Sequence, residues 1–188
     1  MLQTRKNLTL EEFLVLPEDD ITYELVDGEV IPKMTPKKFH SRLTRVLLQL
    51  LYEWCAQRGE VCPELAIKLT RRGRDWVPIP ELLYISAERF PPDWEQEGAC
   101  SVPPELVVEI ISPGQTFGQL AAKARDYLDA GVLRVWVVDS QARSITVFYP
   151  DAPPQTYMGN TPLIDALFEG LEITAEQVFQ LAKIPQSK

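Results

Sequence analysis

At 188 residues, 45% hydrophobic and 24% charged, the chain is long enough for one domain with a sizeable core and too ordinary in composition for a disordered or fibrous protein. Its formal net charge of -8 excludes binding of duplex nucleic acid through a generally basic surface, so any such contact must rest on a local basic patch or a bound cation. Cys55, Cys62 and Cys100 are odd in number, widely spaced and free of any CxxC pair, which sets aside a zinc knuckle and a disulfide framework and fits reduced thiols.

A single domain over residues 1–188 is the expectation. The stretch Met1-Leu2-Gln3-Thr4-Arg5-Lys6-Asn7 runs into a polar segment rather than an apolar core, so it does not read as a signal peptide. No apolar run is long enough to span a bilayer, so no membrane partner is expected and the chain reads as cytoplasmic. Thr9-Leu10-Glu11-Glu12 has the pattern of a capping box and predicts a short helix ending before Pro17. Tyr23 to Ile31 then alternates around Asp27-Gly28, a dipeptide suited to the positive φ angles of a tight hairpin. This puts Glu24 on one face with Val26, and Tyr23 with Leu25 on the other.

From Lys37 to Arg58, Phe39, Leu43, Val46, Leu47, Leu50, Leu51 and Trp54 recur at helical spacing, and Gly59 ends the pattern. Lys38, Arg42 and Arg45 make a positive stripe on this helix, read either as a solvated face or as a phosphate-facing one. Val61 to Thr70 and Ile79 to Ser86 read as two strands separated by the turn Arg71-Arg72-Gly73-Arg74, a second candidate for phosphate contact. The proline-rich run from Arg89 to Pro104 reads as an excursion over the surface.

Pro103 to Asp139 reads as one βαβ unit: an apolar strand through Glu109, a break at Ser112-Pro113-Gly114, a helix opened by a capping box at Thr116-Phe117-Gly118-Gln119, and a second apolar strand from Val132. Beyond it come a strand from Ser144 to Tyr149, a short strand near Thr156 to Met158 and a last helix opened by Thr174. An ionised carboxylate entering a buried sheet is costly unless something pairs with it or coordinates it, so Glu109 needs an explanation, and a metal site is the one favoured here. Lys123 and Tyr127, one helical turn apart, share the face that a crossover helix turns to the sheet, so Lys123 can reach over the carboxyl end of the Glu109 strand. The alternative is an exposed lysine paired with an acid of its own helix. Glu81, after Pro78-Ile79-Pro80 and on a neighbouring strand, supplies a second acid. Two carboxylates make the minimal cradle for Mg²⁺, and Glu24 on the hairpin is a candidate third acid.

These segments resemble the Uma-two family, within the PD-(D/E)XK restriction-endonuclease-like superfamily. The residues that carry the resemblance are Tyr23-Glu24-Leu25-Val26-Asp27-Gly28-Glu29, Pro80-Glu81, Pro104 to Pro113, and Lys123, Tyr127 and Gly131 before Val135-Trp136-Val137-Val138-Asp139. The resemblance implies an α/β fold with a restriction-endonuclease-like mixed sheet flanked by helices. It also implies a Mg²⁺ (or Mn²⁺) dependent endonuclease acting on DNA phosphodiester bonds, with Glu24, Glu81, Glu109 and Lys123 at the catalytic positions and Glu81 and Glu109 as metal ligands. Ile111 stands where the superfamily's usual lysine would be, so the lysine role passes to Lys123.

Pro80-Glu81 departs from the Pro-Asp of similar proteins. The extra methylene displaces the carboxylate oxygens by roughly 1 Å, and a misplacement of that size can cost about 10²-fold in rate. The alternative function is therefore a catalytically weak or inactive nuclease-fold module acting in binding. His40 stands where the family often has a histidine, either contacting phosphate or polarising water, or as a plain residue of the helix surface. DNA contact is expected through a local basic patch at Arg42, Arg45 or Arg71 to Arg74, and homo-oligomerisation, as a dimer first, stays open.

Overall fold

The computed structural model describes residues 8–17, 21–33 and 36–185. The stretch 1–7, read above as no signal peptide, lies outside the described residues. Among the described residues no helix is long and apolar enough to cross a membrane.

Local signals set the first elements. The Thr9 hydroxyl accepts from the Glu12 amide at 3.2 Å while Glu12 accepts from the Thr9 amide at 2.9 Å, which opens helix α1 (Leu10–Leu14). Asp27 and Gly28 take φ values of 53° and 85° and join β1 (Tyr23–Val26) to β2 (Glu29–Pro32) in an antiparallel hairpin. Helix α2 (Lys38–Cys55) buries Leu43, Val46, Leu47 and Leu51 along one stripe. His40 is buried on this helix while the expected apolar residue Phe39 stays 41% exposed, so the buried stripe enters one residue later than the sequence pattern suggests.

The single strand expected from Val61 to Thr70 divides into β3 (Gly59–Pro63) and β4 (Leu69–Arg71), which belong to different sheets. Pro63 has no amide to extend a ladder, and Glu64 takes a φ of 51°, so the chain turns out of the first sheet there. A strand not expected from the sequence, β5 (Arg74–Val77), pairs with β4 across the Arg71–Arg74 turn; its mostly polar first half hides it from an apolar-pattern reading. Then follow β6 (Leu82–Ser86), β7 (Leu106–Ile110), helix α3 (Phe117–Asp129) and β8 (Arg134–Asp139). The surface excursion before β7 is tied down by reciprocal backbone bonds of 2.8 Å, Cys100 to Ala66 and Lys68 to Cys100. The chain closes with β9 (Ser144–Phe148), β10 (Gln155–Met158), β11 (Pro162–Leu163), β12 (Ile173–Thr174) and α4 (Ala175–Leu181), the helix capped by Thr174.

Six strands form a mixed sheet in the order β10-β9-β8-β7-β6-β3, in which only β7 and β8 run parallel. A smaller antiparallel sheet has the order β2-β1-β5-β4. The large sheet is covered on both faces: α2 and α4 pack on Leu106, Val108 and Ile110 of β7, while α3 and Trp76 of the small sheet pack with Val107 on the other side. Glu109 falls on the second face by strand alternation and points to α3. This is the α/β architecture expected, a mixed sheet flanked by helices.

Gly59 begins β3 at a φ of +156°, and a Cβ there would lie 2.2 Å from the Ile85 carbonyl oxygen on β6. Gly59→Ala is therefore expected to cost about 3 kcal/mol in urea unfolding, from backbone strain and a forced separation of β3 from β6. An unchanged midpoint would mean that the β3 edge shifts freely.

Candidate active site

The four acid and lysine positions come from three different layers and meet at the carboxyl end of β7. Glu24, in the middle of β1, accepts a hydrogen bond from the Ile79 amide on Oε1 at 2.9 Å, which ties the hairpin to the segment entering β6. The Glu81 amide donates to the Val108 carbonyl at 3.1 Å, just before the Leu82 and Val108 pairing, so Glu81 enters β6 beside the Glu109 end of β7. Lys123 reaches from α3 to lie 2.9 Å from Glu24 Oε1 and 2.9 Å from Glu109 Oε1. Tyr127, one turn further on, donates its hydroxyl to the same Glu109 oxygen at 2.9 Å. The fully buried Tyr127 ring is itself held against Trp76, with centroids 4.7 Å apart.

Lys33 and His40 join this cluster. Lys33 Nζ lies 3.1 Å from Glu81 Oε1 and 3.2 Å from Glu64 Oε1. Nothing in the sequence distinguished this lysine from a surface residue at the end of a hairpin. His40 is 6% exposed, which corrects its reading as a helix-surface residue. Its Nε2 lies 3.4 Å from Glu81 Oε1 without hydrogen-bond geometry, and neither ring nitrogen has a hydrogen-bond partner among the described residues.

The cluster sets three carboxyl groups, Glu24, Glu81 and Glu109, against the two ammonium groups of Lys33 and Lys123. Glu109, 5% exposed, shows the consequence: burial raises its pKa, Lys123 opposes that, and the charges of Glu24 and Glu81 raise it further. Glu81 shifts the other way. Burial pushes it up, but the contacts with His40 and Lys33 outweigh burial and hold it below the ordinary carboxylate range. Burial would strip the Lys123 proton, yet Glu109 and Glu24 hold it well above the usual lysine value, so Lys123 is a cation at any physiological pH. Burial and the Glu109 charge likewise keep the Tyr127 phenol protonated as a donor.

Among the described residues no three His, Cys, Asp or Glu side chains are gathered to hold a metal ion together. Mg²⁺ needs only one or two carboxylates, with water and substrate phosphate completing its shell. Glu81 and Glu109 satisfy that requirement as hard oxygen donors on paired strands, and the contacts described above fall on Oε1 in each. The donor set therefore fits a hard divalent cation, with two lysines flanking it.

The basic candidates separate into engaged and available groups. Arg71 is bound to Asp126 at 2.7 Å and Asp27 at 3.1 Å, so it braces α3 and the hairpin turn rather than facing solvent phosphate. Arg42 reaches the Lys183 carbonyl at 3.4 Å. Lys38, Arg45 and Arg74 remain exposed.

Comparison with known proteins gives a match to the Uma2 family, described as "Putative restriction endonuclease", over residues 10–176. A crystal structure from Anabaena variabilis ATCC 29413, described as a "putative nuclease belonging to DUF820", superposes with a TM-score of 0.80 at 20% sequence identity, covering 93% of this chain and 99% of that one. No curated protein matches.

Two substitutions separate charge repulsion from anchoring. Because burial and the neighbouring acids raise the Glu109 pKa, the fold penalises its charge, and Glu109→Gln is expected to unfold in urea within about 1 kcal/mol of wild type or slightly later. Lys123→Met leaves Glu24 and Glu109 without their shared cation and is expected to cost about 3 to 5 kcal/mol. A Glu109→Gln variant destabilised as much as Lys123→Met would make Glu109 an anchor instead.

A pH series checks Glu81. Its depressed folded pKa contributes stability that is present above the unfolded carboxylate value, about 4.3, and is lost as pH falls through the folded one. Wild type should therefore lose more stability than Glu81→Gln on acidification from about pH 5 to pH 3. Parallel curves for the two proteins would remove this contribution.

Proposed function

This chain belongs to the Uma2 family, and from that premise we propose that it is a Mg²⁺ (or Mn²⁺) dependent endonuclease hydrolysing DNA phosphodiester bonds at the cluster of Glu24, Glu81, Glu109 and Lys123. The observation that carries the reading is the single lysine ammonium shared at 2.9 Å by Glu24 and Glu109, beside a third carboxylate on the adjoining strand. A purely structural ion pair has no need of the third acid.

In this reading Glu81 and Glu109 hold the cation. When bound, it supplies Lewis-acid polarisation of a phosphoryl oxygen and a more acidic water. The chain's own residues do the positioning. Lys123 has three N–H donors, of which Glu24 and Glu109 take two, and with 23% of its side chain exposed the third is left for substrate or water. That donor aims at a non-bridging phosphate oxygen or at the attacking water, where it stabilises charge developing as the oxygen–phosphorus bond forms and the alkoxide leaves. Glu24 holds the ammonium in place and is itself fixed by the Ile79 amide. Tyr127 pins one oxygen of Glu109.

A second reading, a catalytically weak or inactive binding module, draws on Glu81. It carries the longer side chain, and one of its oxygens is already engaged by Lys33.

Cleavage of plasmid and single-stranded DNA with Mg²⁺ or Mn²⁺ decides between them. Wild type is expected to cleave, Lys123→Met to lose about 10² to 10³-fold, and Glu109→Gln to lose at least as much. Glu81→Asp, which keeps the carboxylate and removes the methylene, is expected to retain or raise activity. DNA binding without cleavage under any of these conditions would favour the binding module.

A further inference from the structure

A groove of about 640 Å³ opens beside the carboxylate cluster, lined by Lys37, Lys38, Phe39 and His40 at the start of α2 and by Ile111 and Pro113 after β7. Two of its lining residues adjoin the cluster. Ile111 follows Glu109 by two residues, and His40, on the groove wall, is also the residue whose Nε2 lies 3.4 Å from Glu81. We propose that this groove binds one unpaired nucleotide of the DNA strand whose phosphodiester faces Glu81 and Glu109. The proposal rests on the nuclease reading for its substrate class.

Two independent features point to an anionic ligand with an apolar body. The first is the 18-residue helix α2, whose opening amides have no acceptor inside the helix, whose N-cap Lys37 supplies no side-chain cap, and whose first turn carries no acid. Lys37 and Lys38 add two cations at the same place, on a chain of net charge -8 that offers no general basic surface. The second is His40, a polar side chain only 6% exposed that lines the groove; its Nε2 faces Glu81 at 3.4 Å, and its Nδ1 has no hydrogen-bond partner among the described residues. Buried polar groups are rarely left so, and a ligand oxygen would satisfy this one.

The walls select the rest of the ligand. Phe39 keeps 41% of its surface exposed at the rim, where the helix pattern would have buried it, and faces the same groove as Ile111 and Pro113. A base-paired duplex would present only its phosphates here and leave those apolar walls without a partner. An unstacked base fills them, as bases do on the aromatic platforms of single-strand binders.

The test is fluorescence anisotropy of a labelled thymidylate strand, and of a duplex of equal length, in EDTA so that binding is read without hydrolysis. Wild type should bind the single strand more tightly than the duplex. Phe39→Ala should weaken single-strand binding about tenfold, and Lys38→Glu should weaken it and flatten its salt dependence. Both residues are exposed, so unchanged melting temperatures are expected and serve as the folding control. Equal affinity of both variants and wild type overturns the proposal, as does preference for duplex or no single-strand binding at all. Cleavage assays on the same preparations keep the two readings apart. Intact single-strand preference and variant losses without cleavage would leave this nucleotide site standing and sink the nuclease; cleavage with unchanged binding by both variants would do the reverse.

Discussion

The arrangement depends on one constraint: a carboxylate, Glu109, sits in the central strand of a sheet covered on both faces. Removing one partner of such a buried charge costs about 3 to 5 kcal/mol, a large part of the roughly 5 to 15 kcal/mol that keeps a domain folded. Its compensation therefore dictates architecture. Lys123 and Tyr127 must lie one turn apart on the inner face of α3, and the helix must sit where both reach the same oxygen. Glu24 then completes the shell of Lys123 from the other sheet.

The same contacts join the small sheet to the large one. Glu24 ties β1 to the approach of β6 through the Ile79 amide, Arg71 bridges the hairpin turn and α3 through Asp27 and Asp126, and Trp76 of β5 packs on Tyr127. Four side chains from a hairpin, a strand entry, a central strand and a crossover helix are held by packing on regular elements. Such support fixes reacting groups more closely than loops do. A site made this way is also a joint of the fold, which is why substitutions in it report on stability as well as on chemistry.

The sequence discloses the parts governed by local rules. Asp27-Gly28, the Thr9 and Thr116 capping boxes and the apolar βαβ unit all form as their residue types require. Glu109 is legible because a charge inside an apolar strand demands a partner, and Lys123 because helical spacing ties it to Tyr127. What escapes is set by tertiary packing. The break after Pro63 sends β4 to a second sheet, and β5 is half polar because its exposed start lies at a turn. Lys33 and His40 carry no local mark of burial: one ends a hairpin and the other replaces Phe39 in the buried stripe only because the N-terminal turn of α2 meets Glu81.

The two strand carboxylates are pushed apart in opposite directions, and that separation gives them different work. Glu81, held low by His40 and Lys33 in spite of burial, stays ionised across the physiological range and is a permanent oxygen donor. Glu109, raised by burial and by the neighbouring acids and opposed by Lys123, is a group whose ionisation added positive charge would favour. On the proposed reading a divalent cation and a proton compete for Glu109, and the cation removes the repulsion that raises its pKa. Lys33 bears on the same balance from the other side. By neutralising Glu81 it lets two carboxylates sit close together at the ends of neighbouring strands. The longer Glu81 side chain is thus not simply a misplaced aspartate: Lys33 and His40 both lie against its Oε1, so two side chains bear on the position of one carboxylate.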